Sequence, residues 1–310
     1  MKTLFILAIE VILMDFRLLE YFLAVAREQN ITAAAESLHI SQPALSTQLR
    51  KMEEALGKQL LIRGVKGSRK VVLTEEGMIF RKRAEEMLLL LHRTEEEISG
   101  SDEIIAGNVF IGSGETEIVR LFAKVAKRIQ RKYPDIRYNI SSGNAEHVLE
   151  YLDKGLIDFG LLFTETDPQK YERISLPMED TWGVLMRRDS PLAVKESICP
   201  EDLWDKPLIV SHQKGDASYI NRWLRREEAE LHIVATYNLL FNASLLVDEG
   251  LGYALCYDRL INTHGSNLCF RPFSPKLAAY GFIVWKKYQV FSKAANIFLQ
   301  YLQEMLGSEG

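Results

Sequence analysis

The stretch SQPALSTQLRKMEEALG, residues 41–57, contains a proline that fixes where a helix can begin. A proline is tolerated in the first turn of a helix, because its missing N–H has no partner there to lose. We therefore expect Ser41 as the N-cap and Gly57 as the C-terminal stop. The apolar residues between them recur every three or four positions and form one stripe, which consists of Leu45, Leu49, Met52 and Leu56.

Two further helices are predicted before this one. MDFRLLEYFLAVAREQN, residues 14–30, has apolar residues at helical spacing. AAAESL is a short alanine-rich helix for which Thr32 is the expected N-cap. A tight connection, HIS, then leads into Ser41. Two short helices joined by a tight turn, the second with a polar start, are typical of a helix-turn-helix, whose second helix enters the major groove of DNA.

A basic turn follows the second helix. KQLLIRGVKGSRKVVLT, residues 58–74, predicts a strand, a glycine-containing turn and a strand, and residues 41–73 contain seven Lys or Arg against two Glu. The net charge of −4 for the whole chain argues against a nucleic-acid partner, but local basicity decides phosphate binding. The pattern predicts a β-wing. The alternative is a three-helix packing module with a solvated loop, which the joint occurrence of a polar helix start and a basic turn disfavours.

The segment AAAESLHISQPALSTQLRKMEEALGKQLLIR followed by LTEEG resembles the DNA-binding region of LysR-type transcriptional regulators, from about Phe16 to Ala84. The resemblance implies that the start of the second helix faces double-stranded DNA. Contacts from Gln42, Ser46 and Thr47 to base edges would give sequence choice, and phosphate contacts would give affinity. Position 47, often basic in that family, is Thr here and lacks the fork with which an arginine reads guanine. The predicted DNA-binding residues are Thr32, Ser41, Gln42, Pro43, Ser46, Thr47, Arg50, Arg63, Lys66, Arg69 and Lys70.

A long amphipathic helix is predicted after the wing, with Thr74 as its cap and Glu75 and Glu76 at its positive end. Its apolar residues alternate by three and four positions, which favours helix–helix association over a single helix packed on its own domain. The family resemblance implies a dimer, or a tetramer through the C-terminal domains, bound to a pseudo-palindromic site. It also implies RNA polymerase as a partner. The predicted dimer contacts are Phe80, Ala84, Met87, Leu91 and Ile98.

The remaining two hundred residues alternate strand and helix patterns. VFIG, IRYNIS and DFGLLF are mostly apolar, as buried parallel strands are, and a second α/β set runs from TWGVLMRR to GYALC. KYPDI, LDKGLIDFGLL and GLGYAL resemble the effector domain of the same family, itself similar to periplasmic solute-binding proteins. The predicted fold class is α/β with an all-α N-terminal part. A winged helix-turn-helix (14–73) and a linker helix (74–101) precede two lobes, 102–180 with 282–310 and 181–281.

A small-molecule site is expected in the cleft between the lobes, since free N–H groups collect at strand ends and helix N-termini. Each such junction alone could be a simple helix cap, so the argument rests on their convergence. Glu115 has two interpretations. If it points into the cleft, the effector is neutral, amine-bearing or zwitterionic; if it points out, it complements the helix dipole. The predicted effector-binding residues are Ser113, Gly114, Glu115, Thr116, Ser142, Asn144, Thr164, Ser211, Gln213, Asn238 and Phe241.

Enzyme classes fit the sequence less well. GSGETE, residues 112–117, opens like a dinucleotide fingerprint, but it ends in Glu and no acid closes the next strand. The chain has no GxSxG elbow, and its six histidines are scattered without metal-ligand spacing. We therefore expect no catalytic residue, no cofactor and no metal. Cys256 and Cys269 could sense peroxide, but a core position is favoured for Cys256.

The cell compartment follows from the cysteines and the N-terminus. Three cysteines without a CxxC motif favour a reduced, cytoplasmic setting. MKTLFILAIEVIL, residues 1–13, is interrupted by Glu10 and too short to span a bilayer, so we expect an extension before Met14 and no membrane association. A transported-solute receptor would share the C-terminal fold, but it would need a secretory signal and would not carry a helix-turn-helix.

Overall fold

Short helices, a two-stranded wing and one long helix form the first part of the chain. A computed structural model describes residues 15–64, 70–99, 105–212 and 214–307, and the chain divides into two units, Met1–Ser99 and Gly100–Gly310. β1 and β2 are antiparallel, with Leu61 opposite Leu73. The elements described in the first unit are α1 (Phe16–Glu28), α2 (Ile31–Ser37), α3 (Gln42–Leu56), β1 (Leu61–Arg63), β2 (Val71–Leu73) and α4 (Glu75–Ser99).

Side chains at the helix ends set where these helices begin. The Ser41 hydroxyl oxygen accepts a hydrogen bond of 3.4 Å from the Ala44 N–H, and Gly57 ends α3 with a φ of 62°, so both predicted ends are confirmed. The prediction of Thr32 as the cap of α2 is wrong. Asn30 holds that position, and its side-chain oxygen accepts a 2.9 Å hydrogen bond from the Thr32 N–H. Extended backbone at Asn30 places this oxygen over the free N–H groups of the first turn.

The long helix α4 packs closely on the base of the wing. The Thr74 hydroxyl oxygen accepts a 2.9 Å hydrogen bond from the Gly77 N–H and donates one of 2.8 Å to the Gln59 carbonyl, which confirms Thr74 as the cap. A Cβ at Gly77 would overlap the carbonyl oxygen of Leu60. A larger residue at this position would therefore push the helix away from the wing.

The second unit is built on two halves of one mixed sheet. The strand order is β4-β3-β5-β11-β6-β9-β7-β8, with β10 also paired to β6. Its elements are β3 (Gly107–Ser113), α5 (Val119–Gln130), β4 (Ile136–Ser142), α6 (Ala145–Asp153), β5 (Phe159–Leu162), β6 (Tyr171–Arg187), β7 (Leu208–Ser211), α7 (Lys214–Leu224), β8 (Ile233–Tyr237), α8 (Leu240–Asp248), β9 (Tyr253–Tyr257), β10 (Leu268–Pro272), β11 (Ala278–Lys286) and α9 (Lys293–Gly307).

Two lobes follow from this strand order. In the first lobe β3 is parallel to β4 and β5, and in the second lobe β7 is parallel to β8 and β9. The long antiparallel strands β6 and β11 cross between the lobes. Because parallel strands share one carboxyl edge, the loops that leave these strands collect along the cleft.

The alternation of strands and helices is confirmed, with three differences. β6 begins at Tyr171, whereas the sequence predicted a strand only from residue 181. Pro177 argued against a strand in this segment, because a proline has no N–H to donate to a neighbouring strand. In the structure it lies at the register shift opposite Gly281, where the pairing is irregular and no N–H is needed. β10 was not predicted. α7 spans Lys214–Leu224, whereas the segment SYINRWLRREEA predicts a helix over residues 218–229.

Each lobe has its own apolar core. In the first lobe the rings of Phe122, Phe159 and Phe298 are almost fully buried. In the second lobe Val184 and Leu208 lie in a separate cluster. Of the helices that the structure describes, none has the combined length and apolar content that a bilayer crossing requires.

Candidate functional site

The start of α3 presents polar side chains to solvent. Gln42, Pro43, Thr47 and Arg50 are exposed and Ser46 is half-buried, because the apolar stripe of α3 takes up the opposite face. The Thr47 hydroxyl donates a 2.8 Å hydrogen bond to the Pro43 carbonyl. The side chain of Thr47 can therefore offer a base a methyl group and oxygen lone pairs, while its hydrogen is already in use.

Three other residues of the predicted DNA-binding set are exposed. Ser41 is exposed, and its hydroxyl oxygen caps α3. Thr32 is exposed at the start of α2, where its N–H, and not its hydroxyl, takes part in the cap. Lys70 is exposed just before β2. Lys66 and Arg69, also predicted to contact DNA, lie outside the described residues.

Arg63 belongs to the inner structure of the wing. Its Nη2 atom lies 2.8 Å from Oε2 of Glu53, a residue that is only 8% exposed. The other carboxylate oxygen of Glu53 accepts hydrogen bonds from the N–H groups of Leu60 and Leu61, at 2.8 and 2.9 Å. Glu53 thus ties β1 to α3. Sequence reasoning missed it, although its spacing of four from Leu49 places it on the buried face.

The apolar residues of α4 divide into two groups. Phe80 packs edge-on against Phe22 of α1, with ring centroids 4.9 Å apart, and Ala84 is fully buried. These two predicted dimer contacts thus pack within their own domain. Leu91 is half-buried. The apolar residues that remain exposed on α4 are Met78, Ile79, Met87, Leu89, Leu90 and Ile98.

A cavity of about 330 Å³ lies between the two lobes of the second unit. Four of the predicted effector-binding residues line it, namely Gly114, Glu115, Asn144 and Thr164. The lining residues outside the predicted effector-binding set are Gly143, Ala145, Glu146, Leu149, Leu161, Leu162, Phe163, His212 and Tyr257. Several of them end a strand or begin a helix, so the parallel topology brings them together.

The other predicted effector residues that the structure describes do not line this cavity. Ser113 and Thr116 are buried, and the Thr116 hydroxyl oxygen accepts a 3.0 Å hydrogen bond from the Ile118 N–H. Ser211 lines a separate cavity of about 310 Å³ inside the second lobe. Ser142, Asn238 and Phe241 are exposed, and Gln213 lies outside the described residues.

Glu115 reaches across the cleft. Its Oε2 atom accepts a hydrogen bond of 2.5 Å from the backbone N–H of Leu240, the first residue of α8 in the second lobe. Neither expected orientation describes this contact completely, since Glu115 lines the cavity and also satisfies the N-terminus of a helix other than its own. The carboxylate links the two lobes at the cavity wall.

Aromatic rings form one wall of the cavity. The ring centroids of Phe163 and Tyr257 lie 5.5 Å apart, and Trp182 lies behind Tyr257 at 4.3 Å. Phe163 follows β5 and Tyr257 ends β9, so each lobe contributes one ring. The terminal position of both residues on apolar strands was the available sequence signal.

Asp180 is a buried carboxyl group in the strand that crosses between the lobes. It is 4% exposed, and its Oδ2 atom has no hydrogen-bond partner among the described residues. Burial raises the pKa of Asp180 to about 6, against the effect of a hydrogen bond from Thr116. The negative charges of Glu117 and Asp258 raise it further.

The cysteines do not form a reactive pair. Cys256 and Cys269 are 2% and 5% exposed, and both are free thiols. Burial raises the pKa of the Cys256 thiol, which disfavours the reactive thiolate, so the predicted core position is confirmed. Within the described ranges, no three His, Cys, Asp or Glu side chains are placed to hold a metal ion.

Comparison with known proteins gives the same division of the chain. Residues 16–78 match the bacterial regulatory helix-turn-helix protein family of lysR type, and residues 104–307 match the LysR substrate binding domain. The HTH-type transcriptional regulator BsdA of Bacillus subtilis (strain 168) is 31% identical, over 82% of this chain and 87% of that protein. The Hca operon transcriptional activator HcaR of Escherichia coli (strain K12) is 29% identical, over 95% of this chain and 99% of that protein.

A solved structure supports the architecture. The crystal structure of CbnR, a LysR family transcriptional regulator, superposes with a TM-score of 0.75, covering 94% of this chain and 99% of that chain at 18% identity. That similarity shows the fold alone, whereas the matched family models cover both parts of the sequence. The chain therefore belongs to the LysR family of transcriptional regulators, with a DNA-binding helix-turn-helix domain followed by an effector-binding domain.

Proposed function

We propose that the exposed start of α3 reads the base sequence of a pseudo-palindromic promoter site. Gln42, Ser46 and Thr47 supply the base-edge contacts. Arg50 and Lys70, with Lys66 and Arg69 of the turn, supply phosphate contacts that position the helix without choosing sequence. Arg63 is left out of this set, because its guanidinium is bound to the Glu53 carboxylate.

The effector site is the cavity between the lobes, and one observation carries this proposal: both lobes contribute to its wall. Thr164 and Gly114 come from the first lobe, and His212 and Tyr257 from the second. A ligand can shift a conformational equilibrium only through contacts that differ between two states. A molecule that touches both walls has such contacts whenever the lobes move. The lobe boundaries 102–180 with 282–310 and 181–281 are part of the proposal.

Self-association through α4 presents two recognition helices to the two half-sites. Its support is the set of exposed apolar residues on α4, of which Ile79 and Ile98 are 61% and 80% exposed. Exposed apolar residues concentrated on one helix are typical of an interaction surface. A tetramer through the effector domains and contact with RNA polymerase complete the proposed assembly, as the family resemblance implies.

Two measurements test this function. Gel shift and DNase footprinting with DNA upstream of the chain's own gene should show a protected site, and a bound effector should change the footprint or the bend. Ile79→Lys should reduce the mass in analytical ultracentrifugation to that of a smaller species, while Val72→Lys on the wing should not. A full-mass Ile79→Lys variant would contradict the role of α4, and an unchanged footprint with the effector bound would contradict the role of the cavity.

A further inference from the structure

The helix N-termini at the interlobe cavity are already supplied with acceptors from the chain itself. An anionic ligand in such a cleft is held by the free N–H groups at helix N-termini. Here the Asn144 side-chain oxygen accepts a 2.8 Å hydrogen bond from the His147 N–H at the start of α6. The Leu240 N–H at the start of α8 donates to Glu115. At each of these two helix N-termini, one donor that could bind an anion is therefore already in use.

The charges at the cavity have one sign. Glu115 and Glu146 both line it, and Glu146 lies in the first turn of α6, where it offsets the positive end of the helix. Among the described residues that line the cavity there is no lysine and no arginine. The field inside the cavity therefore favours positive charge and opposes a carboxylate ligand.

Glu115 can bind a ligand while it holds the lobes together. One of its oxygens accepts from the Leu240 N–H, but a carboxylate has about four lone-pair sites on two oxygens. An ammonium group donates up to about three hydrogen bonds, so it can join Glu115 without displacing Leu240.

The rest of the cavity wall suits a ligand that carries an apolar group next to its ammonium group. Phe163 and Tyr257 line the cavity, and a cation within about 6 Å of a ring centroid is attracted by the ring quadrupole. Leu149, Leu161 and Leu162 supply aliphatic surface. The cavity volume of about 330 Å³ is that of a small-ligand pocket.

We propose that the effector is a small organic cation, an ammonium compound with an apolar or aromatic group, bound between Glu115, Glu146 and the rings of Phe163 and Tyr257. This inference rests on the proposed function only in taking the cavity as the effector site. What it adds is that the ligand carries a positive charge.

Matched probes test that sign on the full-length protein. Saturation-transfer NMR and calorimetry are run with phenethylamine and benzylamine, with the matched carboxylates 3-phenylpropionate and phenylacetate, and with the neutral 2-phenylethanol. We expect an amine to bind at least tenfold more tightly than its matched carboxylate. Glu146→Gln should weaken the amine at least fivefold, whereas Glu172→Gln, an exposed carboxylate on β6 away from the cavity, should leave it unchanged. Glu146 is exposed, so this variant should fold normally.

The outcomes separate the two proposals. Equal or tighter binding of a carboxylate, binding of none of the amines, or unchanged amine affinity in Glu146→Gln overturns the cationic effector. The same samples are then used for DNase footprinting. Amine binding that depends on Glu146 but leaves the footprint unchanged overturns the regulatory role of the cavity and supports its charge preference. A footprint that changes only with a carboxylate supports a regulatory effector and overturns the preference for a cation.

Discussion

The Glu115 carboxylate accepts a hydrogen bond of 2.5 Å from the backbone N–H of Leu240 and so joins the loop after β3 to the first turn of α8. α8 has no side-chain cap of its own, because Leu239 stands at its N-cap position. The acceptor that its N-terminus needs comes from the opposite lobe. The link between the lobes at this point and the capping of α8 therefore depend on the same carboxylate.

Removal of this acceptor should destabilise the effector domain. We expect Glu115→Ala to lower the free energy of unfolding by about 1–3 kcal/mol, since a part-buried N–H loses its partner. Chemical denaturation followed by circular dichroism measures the change. The exposed Glu172→Ala variant should stay within about 0.5 kcal/mol of the parent. Equal losses in the two variants would argue against a bridge.

Glu53 should be far more important to the DNA-binding domain than its neighbour. Glu53→Ala leaves two backbone N–H groups and the Arg63 guanidinium without their acceptor, and breaking such a buried pair costs about 3–5 kcal/mol. Glu54→Ala, one residue further along and exposed, is the matched control, with a change within about 0.5 kcal/mol. Thermal unfolding of both variants measures the difference. Similar midpoints would disprove the anchoring of the wing by Glu53.

Substitution of a base-reading residue and of a phosphate-binding residue should have different effects on DNA binding. Gln42→Ala should lose about 1–3 kcal/mol of discrimination between the operator and random DNA. Arg50→Ala should weaken binding to both and reduce the salt slope by about one unit. Thr47→Val keeps the methyl group and removes a hydroxyl whose hydrogen is already bonded to Pro43, so a contact made through the methyl group predicts that most of the operator preference is kept. Fluorescence anisotropy titrations at several salt concentrations distinguish these cases, and equal losses on both DNAs for all variants would refute the assignment.

Asp180 should make the effector domain less stable as the pH rises. Its folded pKa of about 6 lies above the ordinary value of 3.8, so the fold favours the protonated form. Stability is then greatest at the acid end and declines as the pH rises through about 6. Asp180→Asn should raise the unfolding midpoint at pH 7.5 and change it little near pH 4. Asp205→Asn, whose pKa is lowered by Lys206, should show no such gain at pH 7.5, and a pH-independent effect of Asp180→Asn would contradict the prediction.

Local signals account for what could be predicted from the sequence. The ends of α3 follow from Ser41, Pro43 and Gly57, because each acts on the backbone within a few residues of itself. The strand and helix alternation of the second unit is equally local. The N-cap of α2 was predicted wrongly as Thr32. Asn30, two residues earlier, has the extended backbone of an N-cap residue, and its side chain accepts the hydrogen bonds of the first turn.

Contacts between distant residues could not be predicted in the same way. A repeat of apolar residues predicts that one face of α4 is covered, but it does not identify the residues that cover it. For Phe80 the partner is Phe22 of the same domain. Tyr257 and Phe163 meet only because β9 and β5 end at the same cleft. The pairing of Arg63 with Glu53 depends on how the wing folds back on α3.

The close seat of Gly77 on the Leu60 carbonyl has a mechanical consequence. With no side chain between them, the first turn of α4 lies directly against the wing, and we expect the two to move together. α4 spans 25 residues, which at about 1.5 Å per residue is an arm of about 37 Å. A tilt of about 5° at one end of such an arm displaces the other by about 3 Å, so a small rotation at the far end of α4 is delivered to the wing as a shift comparable to the spacing of adjacent base pairs.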